Sequence, residues 1–117
     1  METHAVSAGL LPAAEAVRLA DLVAYQEGAV VSRVLVKEGG GSLTVFAFDG
    51  GQALSEHTTP FDAFVTVLDG EARLTIGGKD VPLRAGESLR MPANVPHAVH
   101  ASTAFKMLLV MVRTAKG

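Results

Sequence analysis

After Gly28 the hydrophobic residues fall in short, evenly spaced segments, and in one of these segments hydrophobic and polar positions alternate. In residues 71–77, alternate residues are apolar, which predicts a strand with one face in a core and the other in water. Similar short segments, rich in β-branched residues, recur through the rest of the chain. They cover residues 29–37, 42–49, 61–69, 71–77, 79–84, 87–91, 97–102 and 105–112. Short strands at even spacing, separated by glycine turns, predict an all-β antiparallel sandwich or barrel.

Two glycine-containing turns predict how neighbouring strands connect. Asp69-Gly70 and Gly77-Gly78 each separate two predicted strands. Both dipeptides suit the two-residue turns of β-hairpins, whose central residues need a positive φ angle. The sequence therefore predicts a tight hairpin at each of these positions.

The predicted strands 61–68 and 105–112 are apolar on both faces. A strand of this kind needs cover on both sides, because water would otherwise contact one apolar face. In a small barrel a second subunit commonly supplies the outer cover. The sequence therefore predicts a homodimer.

The first 25 residues differ from the rest of the chain in composition and periodicity. Residues 1–14 are rich in alanine and show no period, so we expect a loosely attached arm. The apolar positions between Ala14 and Tyr25 allow one short helix. We therefore divide the chain into an N-terminal arm with a short helix, residues 1–25, and a single barrel domain, residues 26–113.

Composition and charge narrow the classes of function. The 117 residues carry a net charge of −2 with no basic stripe, so nucleic acid is not an expected partner. No apolar run approaches the roughly 20 residues of a membrane-spanning helix, and Pro12 and Glu15 interrupt the N-terminal apolar stretch, so we expect neither a membrane span nor a signal peptide. The chain has no cysteine, which excludes disulfides and thiolate ligands and is compatible with a cytoplasmic location.

Two clusters of glycine, proline and histidine stand at fixed spacings in the second half of the chain. In the first, five residues separate Gly51 from His57, and twelve more separate His57 from Gly70. In the second, five residues separate Gly86 from Pro92, and four more lead to His97.

The two clusters together resemble the paired motifs of the cupin superfamily, whose members are small β-barrels. The resemblance covers residues 51–101 and is closest to the small single-domain bacterial cupins. It implies a double-stranded β-helix, or jelly roll. The family pattern has glycine where this chain has Asn94, and asparagine tolerates the positive φ that such a turn needs. The family pattern also ends on an asparagine where this chain has Ala101.

The resemblance also implies a metal-binding pocket of which half the ligands are replaced. In the full pattern three histidines and one glutamate hold a divalent metal inside the barrel. Here Thr59 stands in place of the second histidine and Ala63 in place of the glutamate. His57 and His97 remain as candidate ligands for Fe, Mn, Ni, Cu or Zn. The candidate ligand pocket consists of His57, Thr59, Ala63, Met91 and His97.

Other residues could complete or line this pocket. Glu56 and Asp62 lie on the opposite strand face from His57, so either would need a β-bulge to become a ligand. His100, three residues after His97, is expected on the outer face of its strand. Met91, Met107 and Met111 either fill the barrel interior or form a soft apolar wall for a ligand.

Three functions agree with these residues. The first is a pocket around His57 and His97 that binds a small organic molecule, with or without a divalent metal. The second is a metal-dependent oxygenase or isomerase acting on a small oxygenated substrate. The third is metal-free acid–base catalysis by His57 or His97, for which no partner stands at a motif position. The sequence assigns no catalytic residue.

Overall fold

The computed structural model describes residues 3–7 and 10–113 of the chain. Within these residues the chain forms ten β-strands and one short 3-10 helix. They are β1 (Thr3–Ser7), the 3-10 helix (Leu19–Leu22), β2 (Ala29–Glu38), β3 (Gly41–Phe48), β4 (Ala53–His57), β5 (Phe61–Asp69), β6 (Glu71–Ile76), β7 (Lys79–Arg84), β8 (Ser88–Met91), β9 (His97–His100) and β10 (Phe105–Arg113). Within the described residues, the helix lacks the length and apolar character needed to cross a membrane.

The strands form two sheets that enclose one interior. The six-stranded sheet has the order β1-β2-β3-β10-β5-β8, and the four-stranded sheet has the order β4-β9-β6-β7. Every pairing is antiparallel except that of β1 with β2, which is parallel. This architecture confirms the predicted all-β barrel of the jelly-roll type.

The strand alternation seen in the sequence builds the inner core. In β5, Ala63, Val65 and Val67 are buried, whereas the intervening Phe64 is exposed. Phe48 and Phe105 stack in this core with their ring centroids 4.6 Å apart. Because successive side chains of a strand point to opposite faces, the inward-facing residues of the two sheets together form this core.

A second apolar cluster covers part of the outer face of the six-stranded sheet. The buried residues Leu35 and Val45 belong to it, and the partly buried Leu68 and Leu108 pack against it. Leu11, Leu22 and Val23 from the N-terminal segment supply the cover. The outer faces of β5 and β10 are therefore covered in part by the chain itself, which the sequence analysis did not anticipate.

The two predicted hairpin turns have different outcomes. Ile76 pairs with Lys79 across Gly77-Gly78, and both glycines have positive φ, so this hairpin is confirmed. The hairpin predicted at Asp69-Gly70 is wrong, because β5 and β6 belong to different sheets. At Gly70 the chain instead passes from one sheet to the other.

Two strands lie where the sequence analysis predicts none. β1 falls in the segment expected to be a loosely attached arm, yet it pairs with β2 from Thr3 to Ser7. β4 carries His57 and was not recognised as a strand. The helix expected between residues 14 and 25 is confined to Leu19–Leu22. The boundary between residues 25 and 26 remains a prediction.

Candidate functional site

A cavity of about 590 Å³ lies in the barrel interior and is lined by residues of both sheets. Its lining is Phe46, Leu54, Ser55, Glu56, His57, Thr59, Ala63, Met91, His97, Val99, Met107, Leu109 and Met111. All five residues of the pocket expected from the sequence are in this set. Most of the lining is aliphatic, aromatic or thioether, so His57 and His97 form a polar point in an apolar wall.

A β-bulge in β4 places His57 in this cavity. Leu54 pairs with Val99, and the next pair is His57 with His97, so three steps along β4 match two along β9. In a regular strand Glu56, two residues after Leu54, would stand opposite His97. The extra residue moves His57 into that position.

The two imidazole rings meet at their Nε2 atoms. The Nε2 atoms of His57 and His97 are 3.2 Å apart, and the ring centroids are 4.4 Å apart at an interplanar angle of 69°. His97 is 4% exposed, whereas His57 lies at the exposed end of β4. The pair therefore spans from the buried interior to the cavity mouth.

Backbone carbonyls fix the orientation of both rings. The Nδ1 atom of His57 lies 2.8 Å from the Ser55 carbonyl oxygen, and that of His97 lies 3.2 Å from the Val95 oxygen. A carbonyl can only accept a hydrogen bond, so each Nδ1 carries the proton that it donates. In the neutral rings both Nε2 atoms then present lone pairs towards each other. A proton or a bound cation between these atoms relieves their repulsion.

Burial lowers the pKa of His97 below its usual value, because desolvation disfavours the imidazolium form. The Val95 carbonyl opposes this shift, and the charge of the neighbouring His57 adds to it. His97 therefore favours the neutral form in which Nε2 is a free electron-pair donor.

The residues weighed as additional ligands have separate places. Glu56 lines the cavity beside the bulge. The Asp62 carboxylate accepts a hydrogen bond from the Ala93 N–H at 2.9 Å and lies 3.5 Å from the Arg90 guanidinium. His100 is exposed on the outer side of β9, as expected.

Several lining residues escaped the sequence analysis. Leu54 and Ser55 belong to β4, the strand that was not recognised. Phe46, Val99 and Leu109 lie on predicted strands at inward positions. No role was assigned to them from the sequence, because no sequence signal separates a residue that fills the core from one that borders a cavity.

The second motif forms the loop that supports the pair. Asn94 has φ 65°, which confirms the expected left-handed turn at the position where the family has glycine. Its backbone N–H donates to the Thr59 carbonyl at 2.8 Å. The two motifs are therefore hydrogen-bonded to each other beside the cavity.

Comparison with known families agrees with this geometry. The family model described as "Cupin domain" matches residues 44–113. The chain belongs to the cupin family. No curated protein matches the sequence of this cupin.

Solved structures resemble this cupin over most of its length. A conserved protein of unknown function from Streptococcus pyogenes is 37% identical with a TM-score of 0.86, over 91% of this chain and 93% of that one. A cupin superfamily protein from Desulfitobacterium hafniense is 28% identical with a TM-score of 0.84, over 91% and 97% of the two chains. A cupin 2 conserved barrel domain protein from Leptotrichia buccalis is 45% identical with a TM-score of 0.79, over 80% of this chain and 46% of that one.

The residues of this cupin do not fit the four-ligand metal site that the family pattern implies. Ala63 offers no ligand atom, and the hydroxyl oxygen of Thr59 already accepts the Phe61 N–H at 3.3 Å. Among residues 3–7 and 10–113, no three His, Cys, Asp or Glu side chains are grouped to hold a metal. A catalytic metal normally has three protein ligands. With two histidines, this site falls short of that number.

Proposed function

We propose that this cupin binds a small organic molecule in the barrel cavity. The observation that carries the proposal is the cavity itself, which is about 590 Å³ in volume and apolar except at the histidine pair and its rim. Volumes of roughly 300–1,000 Å³ with a few convergent polar groups are typical of ligand sites. The apolar body of the ligand contacts the walls, and a hydroxyl or carboxylate group contacts the Nε2 atoms of His57 and His97.

The histidine pair gives the site its selectivity. An apolar molecule gains from burial anywhere in the cavity, but a molecule with one polar group must satisfy that group when it leaves water. His57 and His97 are the side chains aimed at each other across the cavity wall, and their carbonyl contacts hold them in place. Ligands with a single terminal polar group are therefore favoured over hydrocarbons and over molecules that are polar throughout.

Fluorescence titration with an environment-sensitive apolar dye tests the proposal. Ala63→Phe places a phenyl ring in the cavity, and we expect the dye affinity to fall at least tenfold, equivalent to about 1.4 kcal/mol. Phe64→Ala is the matched control, since Phe64 follows Ala63 in β5 but is exposed on the outer face. Equal dye affinity in wild type and Ala63→Phe, with loss of binding in Phe64→Ala, would place the binding site outside the barrel and overturn the proposal.

Displacement of the dye by small alcohols, phenols and carboxylic acids then tests the role of the pair. His97→Leu keeps a side chain of similar size at this buried position but removes the nitrogen atoms. We expect it to weaken the binding of polar competitors while leaving dye affinity within a factor of about two. An equal loss of affinity for the dye and for the polar competitors would show that His97 shapes the cavity without contacting the polar group.

The second candidate function is a metal-dependent oxygenase or isomerase, with a divalent ion held by His57 and His97. The 3.2 Å separation of the two Nε2 atoms favours it, because both can face one ion. Elemental analysis after loading with Fe, Mn, Ni, Cu or Zn tests this candidate. One tightly bound divalent ion per chain, lost in both His57→Ala and His97→Ala, would support it.

A cytoplasmic location remains a prediction.

A further inference from the structure

A second cavity, of about 260 Å³, adjoins the main cavity that holds the histidine pair. Its lining is Lys37, Glu38, Gly41, Ser42, Phe61 and Met111. Met111 lines both cavities, so the two meet at this side chain. The apolar main cavity therefore continues into a smaller cavity whose lining includes a lysine and a serine.

The strand register places residues of both cavities in one row across the six-stranded sheet. Lys37 of β2 pairs with Ser42 of β3, which pairs in turn with Met111 of β10. Met111 then pairs with Ala63 of β5, whose side chain faces the interior. Directly paired residues share a face of the sheet, so Lys37 starts from the same face as Ala63. Neighbouring strands lie about 4.8 Å apart, so the three steps of this row cover about 14 Å.

Two cationic residues belong to this end of the sheet. Lys37 lines the second cavity, and Arg113 pairs with Phe61, which also lines it. Both cationic residues are exposed, and within residues 3–7 and 10–113 neither side chain forms an ion pair. Glu38 lines the cavity as well, but it follows Lys37 in β2, so its side chain starts from the opposite face of the sheet. Lys37 and Arg113 are therefore available to an anion.

The chemistry of these groups selects a carboxylate. Ammonium and guanidinium groups only donate hydrogen bonds, and their bonds to a carboxylate are stronger than those to a neutral acceptor. A free carboxylate gains little from exposed cations, because water screens the attraction. A carboxylate joined to an apolar body that is already buried in the main cavity is held beside the cations at a high effective concentration. The pair of cavities therefore favours a molecule that is apolar along its length and anionic at one end.

We propose that the second cavity binds the carboxylate of a ligand whose apolar body lies in the main cavity. The ligand class is then a medium-chain hydroxy acid, with its carboxylate at Lys37 and Arg113 and its hydroxyl at the Nε2 atoms of His57 and His97. The inference rests on the proposed function, which requires one polar group at the histidine pair, and adds a second polar group at the other end of the same molecule.

Displacement of the apolar dye from the full chain by ω-hydroxyoctanoate and by ω-hydroxyoctanamide tests the proposal. The two competitors have nearly the same shape, but the amide carries no charge. We expect the wild type to bind the acid at least threefold more tightly than the amide. The Lys37→Met/Arg113→Met double variant is expected to lose this preference while its affinity for the amide stays within a factor of about two. Arg73→Met/Lys79→Met is the matched control, because it removes the same charge from exposed positions of the four-stranded sheet, and it should keep the preference.

Three results would overturn the second cavity as a carboxylate site. One is equal displacement by acid and amide in the wild type, which leaves the proposed function standing because both compounds still enter the main cavity. Another is a preference for the acid that survives in Lys37→Met/Arg113→Met, since the carboxylate then binds elsewhere. The third is failure of both compounds to displace the dye, and in that case the dye titration of Ala63→Phe decides the proposed function separately.

Discussion

Side-chain contacts of Tyr25 and Lys106 hold the N-terminal segment against the barrel. The Lys106 ammonium group donates to the Ala20 carbonyl at 2.7 Å and lies 5.0 Å from the centre of the Tyr25 ring. The Tyr25 hydroxyl donates to the Asp69 carboxylate at 2.5 Å. Asp69 and Lys106 are cross-strand partners of β5 and β10, so the segment is held at the end of this strand pair.

The Tyr25 hydroxyl is expected to titrate well above its usual pKa of 10.0. Partial burial raises the pKa first, and the hydrogen bond and charge of Asp69 raise it further, because tyrosinate beside a carboxylate is disfavoured. A raised pKa in the folded state means that the contribution to stability is complete below pH 10 and is lost as the pH rises further. The chain has one tyrosine and no tryptophan, so tyrosinate absorbance reports this group alone.

Asp69→Asn is the matched variant for this titration. It keeps a hydrogen-bond acceptor but removes the charge, and we expect the Tyr25 midpoint to move back towards 10.0. An unchanged midpoint in Asp69→Asn would show that burial alone controls the titration. A wild-type midpoint at the usual value would contradict the hydrogen bond itself.

Motif spacing predicted the candidate site in part. His57 and His97 were assigned from their positions relative to glycine and proline, and they lie in contact in the structure. The approach of their Nε2 atoms could not be predicted, because it depends on the bulge in β4. A bulge is a mismatch between two strands, and residues 53–57 alone do not reveal the register of β9.

The connection between β5 and β6 depends on one residue, Gly70. Gly70 has φ 77°, and a Cβ atom at this position would lie 2.5 Å from the Ala104 carbonyl oxygen. The chain leaves one sheet and enters the other at this point, directly against the start of β10. Glycine is needed here both for its backbone angle and for the close approach of another strand.

Gly70→Ala is expected to lower the free energy of unfolding by roughly 2–4 kcal/mol, the sum of left-handed strain and overpacking. Gly78→Ala is the matched control, because Gly78 has φ 83° but no heavy atom within 4 Å of the added Cβ. Gly78→Ala should lower the free energy of unfolding only by the left-handed strain, roughly 1–2 kcal/mol. Chemical denaturation of both variants measures the difference, and equal losses would contradict the contact with Ala104.

Most strands could be predicted because they are runs of apolar and β-branched residues that end at glycine turns. β10 and β5 were found with nearly their observed bounds. β4 was missed because Ser55, Glu56 and His57 are three consecutive polar residues. They give no alternation of apolar and polar positions. β1 was missed because its partner is β2, more than 20 residues away, and a parallel edge pairing leaves no local turn signal.

For the molecule as a whole, the outer face of the six-stranded sheet is covered unevenly. Residues of the N-terminal segment cover Leu68 and Leu108. Phe64 is 39% exposed and Val112 is 43% exposed on the same face. The homodimer expected from the sequence would bury these two residues. The ion pair between Asp62 and Arg90 lies beside them.

Sedimentation is therefore expected to give twice the monomer mass of 12.1 kDa. Phe64→Lys places a charge on the exposed face and should shift the equilibrium to monomer by at least tenfold without altering the melting profile of the fold. His100→Lys, on the outer side of the other sheet, is the control and should leave the dimer intact. A wild-type monomer at micromolar concentration would contradict the prediction.

The bulge in β4 has a consequence for how such a protein can change during evolution. Since Glu56 and His57 are consecutive, the register of one strand decides whether an oxygen or a nitrogen ligand faces His97. Deletion of Ser55 would remove the bulge and leave His57 opposite His97, whereas insertion of one residue between Leu54 and Ser55, with the bulge retained, would place the Glu56 carboxylate there. A single insertion in this strand is thus a route to a different polar group in the cavity that needs no substitution.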